Sequence, residues 1–350
     1  MDYTNKAVLV TGGLGFIGSN LTIRLIELGA RVTVVDSCRP GCGGNYANLK
    51  PIADRVCVVE KDLGEAHEFR EVLRSAEIVF NLAGEVSHLH SMMAPERDLY
   101  INTVAQLRFL EVLRRERPGV RVVYAGTRQV YGVPRYLPVD EDHPADPVDF
   151  NGVHKYAAAM YHLMLTRMGL LDAVVLRLTN VYGPRMALRI PCQGVLSTFI
   201  RRALLGQPLE IYDSGEQLRD PVYVDDVVDA FLRAGAAPRL PRRDYNVGGP
   251  EVMSLRQMAD IIASAAGVPV ISRPFPPDRK QIDIGSYVAN TRRICSDLGW
   301  TAVTHFTDGI RRCLTWYREH SSDYLDLAQP THCAMPEHHG RRRHLVLVSA

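Results

Sequence analysis

A glycine-rich turn near the start of the 350-residue chain limits its fold more than any other feature. The glycines of Gly12-x-x-Gly15-x-x-Gly18 lie between a β-branched apolar run at residues 7–11 and an amphipathic stretch at residues 16–28. Glycines here allow a tight turn and let the backbone approach a pyrophosphate, and the helix that follows offers free N–H groups and a partial positive charge. The strand–turn–helix context therefore predicts a dinucleotide site.

The end of the second predicted strand, residues 31–35, indicates which dinucleotide is bound. Asp36 follows this strand at about the spacing expected for the residue that hydrogen-bonds the adenosine ribose. Its carboxylate would repel a 2′-phosphate, so NAD is favoured over NADP, although the nearby Arg39 weakens this preference. The other residues expected around the cofactor, on the first helix and after the third and fourth strands, are Phe16, Ile17, Asp62, Leu63, Leu82 and Ala83.

Predicted strands and helices alternate along the first half of the chain. Further strands are predicted at residues 56–60, 78–82, 121–124 and 173–178, with helices at 102–115 and 153–166. Such alternation is typical of βαβ units and predicts an α/β fold of the Rossmann type, with a doubly wound parallel sheet in residues 1–180.

After residue 180 the pattern changes to short strand and helix candidates separated by Pro- and Gly-rich loops. This predicts a smaller mixed α/β substrate domain at residues 181–327, with segments near 220–250 returning to the first domain. A poorly ordered tail is expected at residues 328–350.

Charge and composition exclude several classes of function. The net charge is +2 and no apolar run reaches the roughly 18 residues that a spanning helix needs, so neither nucleic acid nor a membrane is an expected partner. The seven cysteines are scattered without a Cys-x-x-Cys pair, which indicates reduced thiols. The first residues do not resemble a signal peptide, so cytoplasm is the expected location. The His-containing tail lacks spaced carboxylates or cysteines, and no metal site is predicted.

From residue 6 to 315 the chain carries an ordered series of motifs. Besides the glycine turn, these are residues 81–84, 91–102, 123–132, 177–185, 219–226 and 245–248. Their order and spacing resemble the extended short-chain dehydrogenase/reductases, the NAD-dependent epimerase/dehydratase family acting on nucleotide-sugars. The resemblance implies that the N-terminal part binds NAD and that the C-terminal part binds a nucleotide-diphosphate sugar. It also implies a homodimer that packs through the helices at 102–115 and 153–166.

The resemblance further implies which residues hold the substrate. The matching positions are Ser91, Thr127, Asn180, Arg185, Arg219 and Arg279. Asn180 and the three arginines match places where the family holds the diphosphate, and the planar guanidinium fork suits phosphate. Thr127 keeps the hydroxyl expected to contact the sugar. A surface salt bridge is the alternative for any single arginine.

The chain departs from this family on its catalytic helix. The family carries Tyr-x-x-x-Lys, in which the tyrosine is the general acid/base and the lysine lowers its pKa and holds the nicotinamide ribose. The matching positions here are Asn151 and Lys155, so the resemblance implies that Lys155 also binds the cofactor. An amide can hydrogen-bond but has no useful pKa. Tyr156 is turned by about 100° from Lys155 around a helix. The only Tyr-x-x-x-Lys, from Tyr46 to Lys50, lies on the adenosine side.

A second departure follows Thr127 at the end of the fifth predicted strand. Dehydratases of the family place an Asp-Glu pair there and decarboxylases a glutamate, but this chain has Arg128 and Gln129. Loss of water or CO2 therefore lacks its usual acid/base, which favours isomerisation. His88, after the fourth strand, has a suitable intrinsic pKa to replace the tyrosine, with loop packing as the alternative. The predicted catalytic residues are Thr127, Asn151, Lys155 and His88.

Several functions remain open at this point. We predict a nucleotide-sugar isomerase, which is either an NAD-dependent epimerase or a pyranose–furanose mutase that needs no tyrosine. The alternatives are an oxidoreductase of the 4,6-dehydratase or decarboxylase type, and a catalytically silent protein that binds NAD or a nucleotide-sugar. Fold alone does not distinguish among them.

Overall fold

The computed structural model describes residues 1–190 and 194–325, and the tail predicted at 328–350 lies outside them. Its strands are β1 (Ala7–Thr11), β2 (Arg31–Asp36), β3 (Cys57–Glu60), β4 (Ile78–Asn81), β5 (Arg121–Thr127), β6 (Asp172–Leu178), β7 (Val181–Tyr182), β8 (Leu209–Tyr212), β9 (Leu218–Arg219), β10 (Val222–Tyr223), β11 (Asp244–Val247), β12 (Met253–Ser254) and β13 (Val270–Arg273). Its helices are α1 (Phe16–Glu27), α2 (Arg70–Ser75), α3 (His88–Met93), α4 (Pro95–Leu99), α5 (Ala105–Glu116), α6 (Phe150–Arg167), α7 (Val195–Leu204), α8 (Val224–Ala236), α9 (Leu255–Ala266), α10 (Pro277–Lys280), α11 (Arg292–Leu298), α12 (Phe306–Glu319) and α13 (Ser321–Tyr324).

A central sheet of seven strands organises the chain, in the order β11-β6-β5-β4-β1-β2-β3. Every neighbouring pair in it is parallel. All four residues of β4 are buried, as expected for a strand that is covered on both faces. The predicted Rossmann-type parallel sheet is confirmed.

Two apolar layers cover the sheet because successive residues of a strand point to opposite faces. On one face Val10 of β1 belongs to a cluster with Leu25 of α1 and Phe231 of α8. On the other face Leu9 belongs to a cluster with Phe109 of α5. Full burial of each such side chain contributes about 1.5–3 kcal/mol. The sheet is therefore a rigid support for the loops at its ends.

The C-terminal part has an apolar core of its own. Phe199 of α7, Ile262 of α9 and Leu314 of α12 are buried together, beside the parallel pair formed by β8 and β13. Two late elements, α8 and β11, pack instead on the central sheet, where β11 pairs with β6. The chain therefore returns to the first layer after it has begun the second.

The helix that carries the predicted catalytic residues begins earlier than its apolar pattern indicates. The predicted bounds were 153–166, but α6 starts at Phe150 because Asp149 caps it, accepting a hydrogen bond from the Gly152 N–H at 2.6 Å. Before α5, residues Tyr100–Val104 form a π-helical turn. Among the described helices, none is both long and apolar enough to cross a membrane.

Candidate functional site

A cavity of about 540 Å³ opens at the carboxyl ends of β1, β4 and β5 and reaches the loops of the C-terminal part. This edge of a doubly wound sheet is where such folds bind ligands. Most predicted site residues line it: Gly12, Gly15, Phe16, Ile17, Gly18, Asp36, Asp62, Leu63, Leu82, Ala83, His88, Thr127, Asn151, Lys155, Asn180, Arg219 and Arg279. The structure thus brings these residues together around one space.

Gly12 and Gly18 let backbone segments of the turn pack against each other and against the end of β4. Gly12 has a φ of 69°, and a Cβ there would lie 2.8 Å from the backbone nitrogen of Ala83. At Gly18 a Cβ would lie 2.2 Å from the carbonyl oxygen of Gly12. Helix α1 begins after Gly15 without a side-chain cap. Its first N–H groups can therefore donate hydrogen bonds to phosphate oxygens.

Asp36 holds the turn from the end of β2. Its two carboxylate oxygens accept hydrogen bonds from the backbone N–H groups of Leu14 and Cys38, both at 3.0 Å, and its burial raises the pKa of the carboxyl group. The Arg39 guanidinium is paired with Asp62 at 2.6 Å. A carboxylate beside the ribose position and an arginine that is already paired fit a dinucleotide without a 2′-phosphate.

Asn151 and Lys155 belong to a buried polar network on α6. The Asn151 amide nitrogen donates to the Glu85 carbonyl and to Asp98 Oδ2, both at 3.0 Å, and Asp98 Oδ1 lies 2.7 Å from Nδ1 of His154. Burial lowers the pKa of Lys155 to about 8, against the opposing effect of the Asp98 charge. Both amide hydrogens of Asn151 are therefore used inside the protein.

His88 and Asp149 form a pair on the cavity wall. Nδ1 of His88 lies 3.0 Å from Asp149 Oδ2, and since a carboxylate only accepts, Nδ1 is the donor. Nε2 then carries the lone pair, and the Gln129 amide donates to it at 2.7 Å. Burial raises the pKa of Asp149, but its hydrogen bond with His88 and the charge of that histidine outweigh burial and lower it. A histidine oriented by a buried carboxylate suits general acid/base chemistry.

The groups predicted to hold a diphosphate lie on the C-terminal side of the cavity. Asn180 Oδ1 is buried without a hydrogen-bond partner. Arg219 is buried, and its Nη1 donates to the carbonyl oxygens of Leu218 and Gly285. Burial, with a smaller effect from the charge of a neighbouring arginine, lowers the pKa of Arg219 to about 9. Arg279 donates to the hydroxyl of Tyr212 at 2.8 Å.

Ser91 and Arg185, also predicted to bind substrate, are not among the residues that line the cavity. The Ser91 hydroxyl donates to the His88 carbonyl at 2.7 Å and accepts from the Asn151 N–H at 3.2 Å, so it joins α3 to α6. Arg185 donates to Asn20 Oδ1 at 2.8 Å and thereby ties its loop to α1. In this structure both side chains support the walls of the site.

Two acidic residues that matter here were not singled out from the sequence. Asp149 directly precedes a helix, and this N-cap signal could have identified it. Asp98 lies in a charged stretch that reads as a solvated helix face, so no local signal marks it as buried. All fifteen tyrosines of the chain lie in its described part, and none lines the cavity.

A family model and individual relatives match this chain over most of its sequence. A family model for the NAD dependent epimerase/dehydratase family matches residues 8–248. The UDP-glucose 4-epimerase of Mycolicibacterium smegmatis is 33% identical over 89% of this chain and 99% of that protein. The dTDP-glucose 4,6-dehydratase of an Actinoplanes species is 30% identical over 90% of this chain and 98% of that protein.

Solved structures agree with the sequence matches. The UDP-glucose 4-epimerase of Thermotoga maritima, solved with UDP-glucose, superposes with a TM-score of 0.81 at 29% identity and covers 90% of this chain and 99% of its own. The dTDP-glucose 4,6-dehydratase of Streptomyces venezuelae, solved with NAD bound, has a TM-score of 0.80 at 27% identity and covers 90% and 98%.

Proposed function

The chain belongs to the NAD-dependent epimerase/dehydratase family, and we propose that it is an isomerase of nucleotide-diphosphate sugars, of the epimerase type, in which His88 is the acid/base. Its cofactor is NAD, as the carboxylate of Asp36 predicted. The observation that carries the proposal is the His88–Asp149 pair, which opens on the same cavity as Thr127 and Lys155.

His88 handles the proton in this proposal. Bound NAD supplies a hydride acceptor that can return the hydride to either face of a sugar carbon. Nε2 of His88 takes the hydroxyl proton as the C–H bond of that carbon breaks, and returns it when the C–H bond forms again, so no atom is gained or lost. The sugar hydroxyl takes the place of the Gln129 amide on Nε2, and Asp149 stabilises the imidazolium.

Lys155, Thr127 and Asn151 have supporting roles. Below its pKa of about 8, Lys155 is a cation that stabilises negative charge on the reacting oxygen. The Thr127 hydroxyl holds the sugar at the end of β5. Because the Asn151 amide is bonded to Glu85 and Asp98, it is a positioning residue in the place where we infer that relatives carry tyrosine.

Competing activities make different demands on the residues after Thr127. Arg128 and Gln129 stand where an acid/base carboxylate would assist loss of water or CO2, and this disfavours dehydration and decarboxylation. The second candidate is a pyranose–furanose mutase, favoured by the lack of tyrosine among the lining residues of the described chain. A silent binding protein has no need for a histidine oriented by a buried carboxylate, as in the His88–Asp149 pair.

The test uses NAD-loaded protein and a panel of UDP-, dTDP-, GDP- and CDP-hexoses, each with ordinary and fully carbon-deuterated sugar. Products are analysed by mass spectrometry and NMR. An isomer that keeps every deuterium and forms more slowly from the deuterated sugar would support the proposal. A furanose formed without an isotope effect would indicate the mutase. Loss of water or CO2, or binding without turnover, would contradict both isomerases.

We also propose a cytoplasmic homodimer. The helices α4 and α5 both contact α6, and these three helices carry exposed apolar side chains: Leu99, Leu107, Phe150, Val153 and Met164. Such a patch fits the same patch on a second copy, because an isologous dimer needs a self-complementary surface.

A further inference from the structure

A buried arginine lies in the cavity next to Thr127. Arg128 is 9% exposed and lines the cavity, and its Nη1 has no hydrogen-bond partner. Its guanidinium rests on the ring of Tyr287, 5.0 Å from the centroid. Among the described residues, no carboxylate lies within ion-pair distance of Arg128. Arg177, by contrast, is paired with Asp244. A buried cation with an unused donor costs free energy unless a ligand completes it.

The neighbours of Arg128 add positive charge. Arg219 also lines the cavity, and the charge of Arg128 adds to the effect of burial in lowering the pKa of Arg219. The opposing acids Asp220, Asp283 and Asp149 are near Arg128, but burial raises the pKa of Asp220 to about 7, and Asp149 is paired with His88. Of these acids, Asp283 is the one left to balance the two guanidinium groups, so this wall of the cavity keeps an excess of positive charge that a bound anion would neutralise.

The position of Arg128 indicates which anion this is. The diphosphate is assigned above to Asn180, Arg219 and Arg279 on the C-terminal side. Arg128 is near Arg219, but it directly follows Thr127, at the end of β5 where we propose that the sugar binds. A second anion at the sugar end must be carried by the sugar itself, and the planar fork of arginine matches a carboxylate.

We propose that Arg128 binds a carboxylate on the sugar, so that the substrates of this enzyme are nucleotide-linked sugar acids. This rests on the proposed function for the identity of the ligand, and it adds the substrate class. Arg128 then selects between a hexose and the corresponding uronic acid, two compounds that differ only at the terminal carbon.

Binding to NAD-loaded protein, measured by calorimetry with UDP, UDP-glucose and UDP-glucuronic acid, tests this without requiring turnover. We expect the wild type to bind the acid at least about tenfold more tightly than the neutral sugar, the effect of one charged hydrogen-bonded contact. Arg128→Met, which keeps the length of the side chain, should remove that preference while leaving the affinity for UDP and UDP-glucose as it was. Arg219→Met is the matched control and should weaken all three ligands.

Other outcomes would overturn the proposal. If Arg128→Met weakens UDP as much as the acid, Arg128 is a diphosphate ligand. If the wild type binds both sugars equally, Arg128 does not distinguish a sugar acid from a neutral sugar. If the uridine compounds do not bind, the hexose and the corresponding uronic acid are tested as dTDP-, GDP- and CDP-sugars. Failure of all of these to bind also contradicts the proposal. Arg128→Gln replaces Arg128→Met if the latter does not fold. A preference for the acid without any isomerised product would leave this proposal standing and contradict the isomerase alone.

Discussion

His88 and Asn151 line the same cavity, but their side chains differ in which hydrogen-bonding groups a ligand can use. Both hydrogens of the Asn151 amide are donated within the protein, to the Glu85 carbonyl and to Asp98. His88 uses Nδ1 on Asp149, and its Nε2 accepts from the Gln129 amide, a partner that a sugar hydroxyl can replace. The sequence predicted His88 from its place after a strand and Asn151 from its match to the tyrosine position of the family motif. It could not predict which one keeps a usable nitrogen, because that depends on partners distant in the chain.

Replacing His88 therefore tests the acid/base assignment directly. We expect His88→Asn to lower kcat by about 100-fold to 10,000-fold, the usual contribution of a general acid/base, without weakening the binding of nucleotide-sugar. Steady-state kinetics and calorimetry measure the two quantities. Asp149→Asn is the matched variant, because asparagine caps a helix as well as aspartate does. It should keep the melting temperature and lower kcat less. Wild-type kcat in His88→Asn would remove this residue from the mechanism.

Lys155 gives activity and stability opposite dependences on pH. Burial lowers its pKa from 10.5 to about 8, so between these values the unfolded chain binds more protons than the folded chain. The free energy of unfolding of the apoprotein should therefore rise as the pH increases from about 8 towards 10.5. The rate should fall as the pH rises through the same pKa, since the proposed mechanism uses the Lys155 cation. Thermal melts and pH–rate profiles check this, with Lys155→Met losing the stability slope. Parallel changes in rate and stability would show that the cation is not needed.

At the scale of elements, the buried parallel strands were the most predictable parts of the chain. They are continuous β-branched runs, and a strand covered on both faces needs such a run. The boundaries of α6 were harder, because the capping side chain of Asp149 sets the start and not the apolar period. The two-residue strands β7, β9, β10 and β12 were not predicted, since two residues form no periodic pattern. These short strands nevertheless shape the C-terminal wall of the cavity, where Arg219 ends β9.

The turn between β1 and α1 makes its own prediction. Gly12→Ala would force a φ of 69° on an L residue and place a Cβ 2.8 Å from backbone atoms of Leu82 and Ala83. We expect it to abolish NAD binding, measured by calorimetry, and to lower the free energy of unfolding by more than the backbone strain alone. Gly29→Ala isolates that strain, because its φ is 81° but its nearest neighbour is 3.6 Å away. It should cost about 1–2 kcal/mol and leave NAD binding intact. Equal NAD affinity in both variants would mean that the turn does not cradle the cofactor.

At the scale of the whole molecule, the cavity forms because late segments of the chain come back to the central sheet. The glycine turn proposed to bind NAD comes from the start of the chain, and the diphosphate-binding candidates Asn180, Arg219 and Arg279 come from the part after β6. Because α8 and β11 pack on the central sheet, the second part is anchored to the first at several places. The sequence predicted two parts and a change of pattern near residue 180. The packing between the parts, which brings Arg128 beside Arg219, followed only from the structure.

The exposed face of α5 and α6 predicts the assembly state. Val153 and Met164 lie three turns apart on one side of α6 and are both exposed, as is Leu107 of α5. In a dimer these side chains leave water, so a charge placed there would be buried without a partner and would separate the subunits. Val153→Glu combined with Met164→Glu should therefore convert a dimer to a monomer in sedimentation velocity while the melting curve stays cooperative. Val303→Glu is the control, because Val303 is also apolar and is more exposed than Val153 and Met164. It follows Ala302, which belongs to the cluster with α1 and α8 on the opposite face of the sheet. It should remain a dimer. A wild-type protein that sediments as a monomer at all concentrations would show that this apolar face is covered by something other than a second copy.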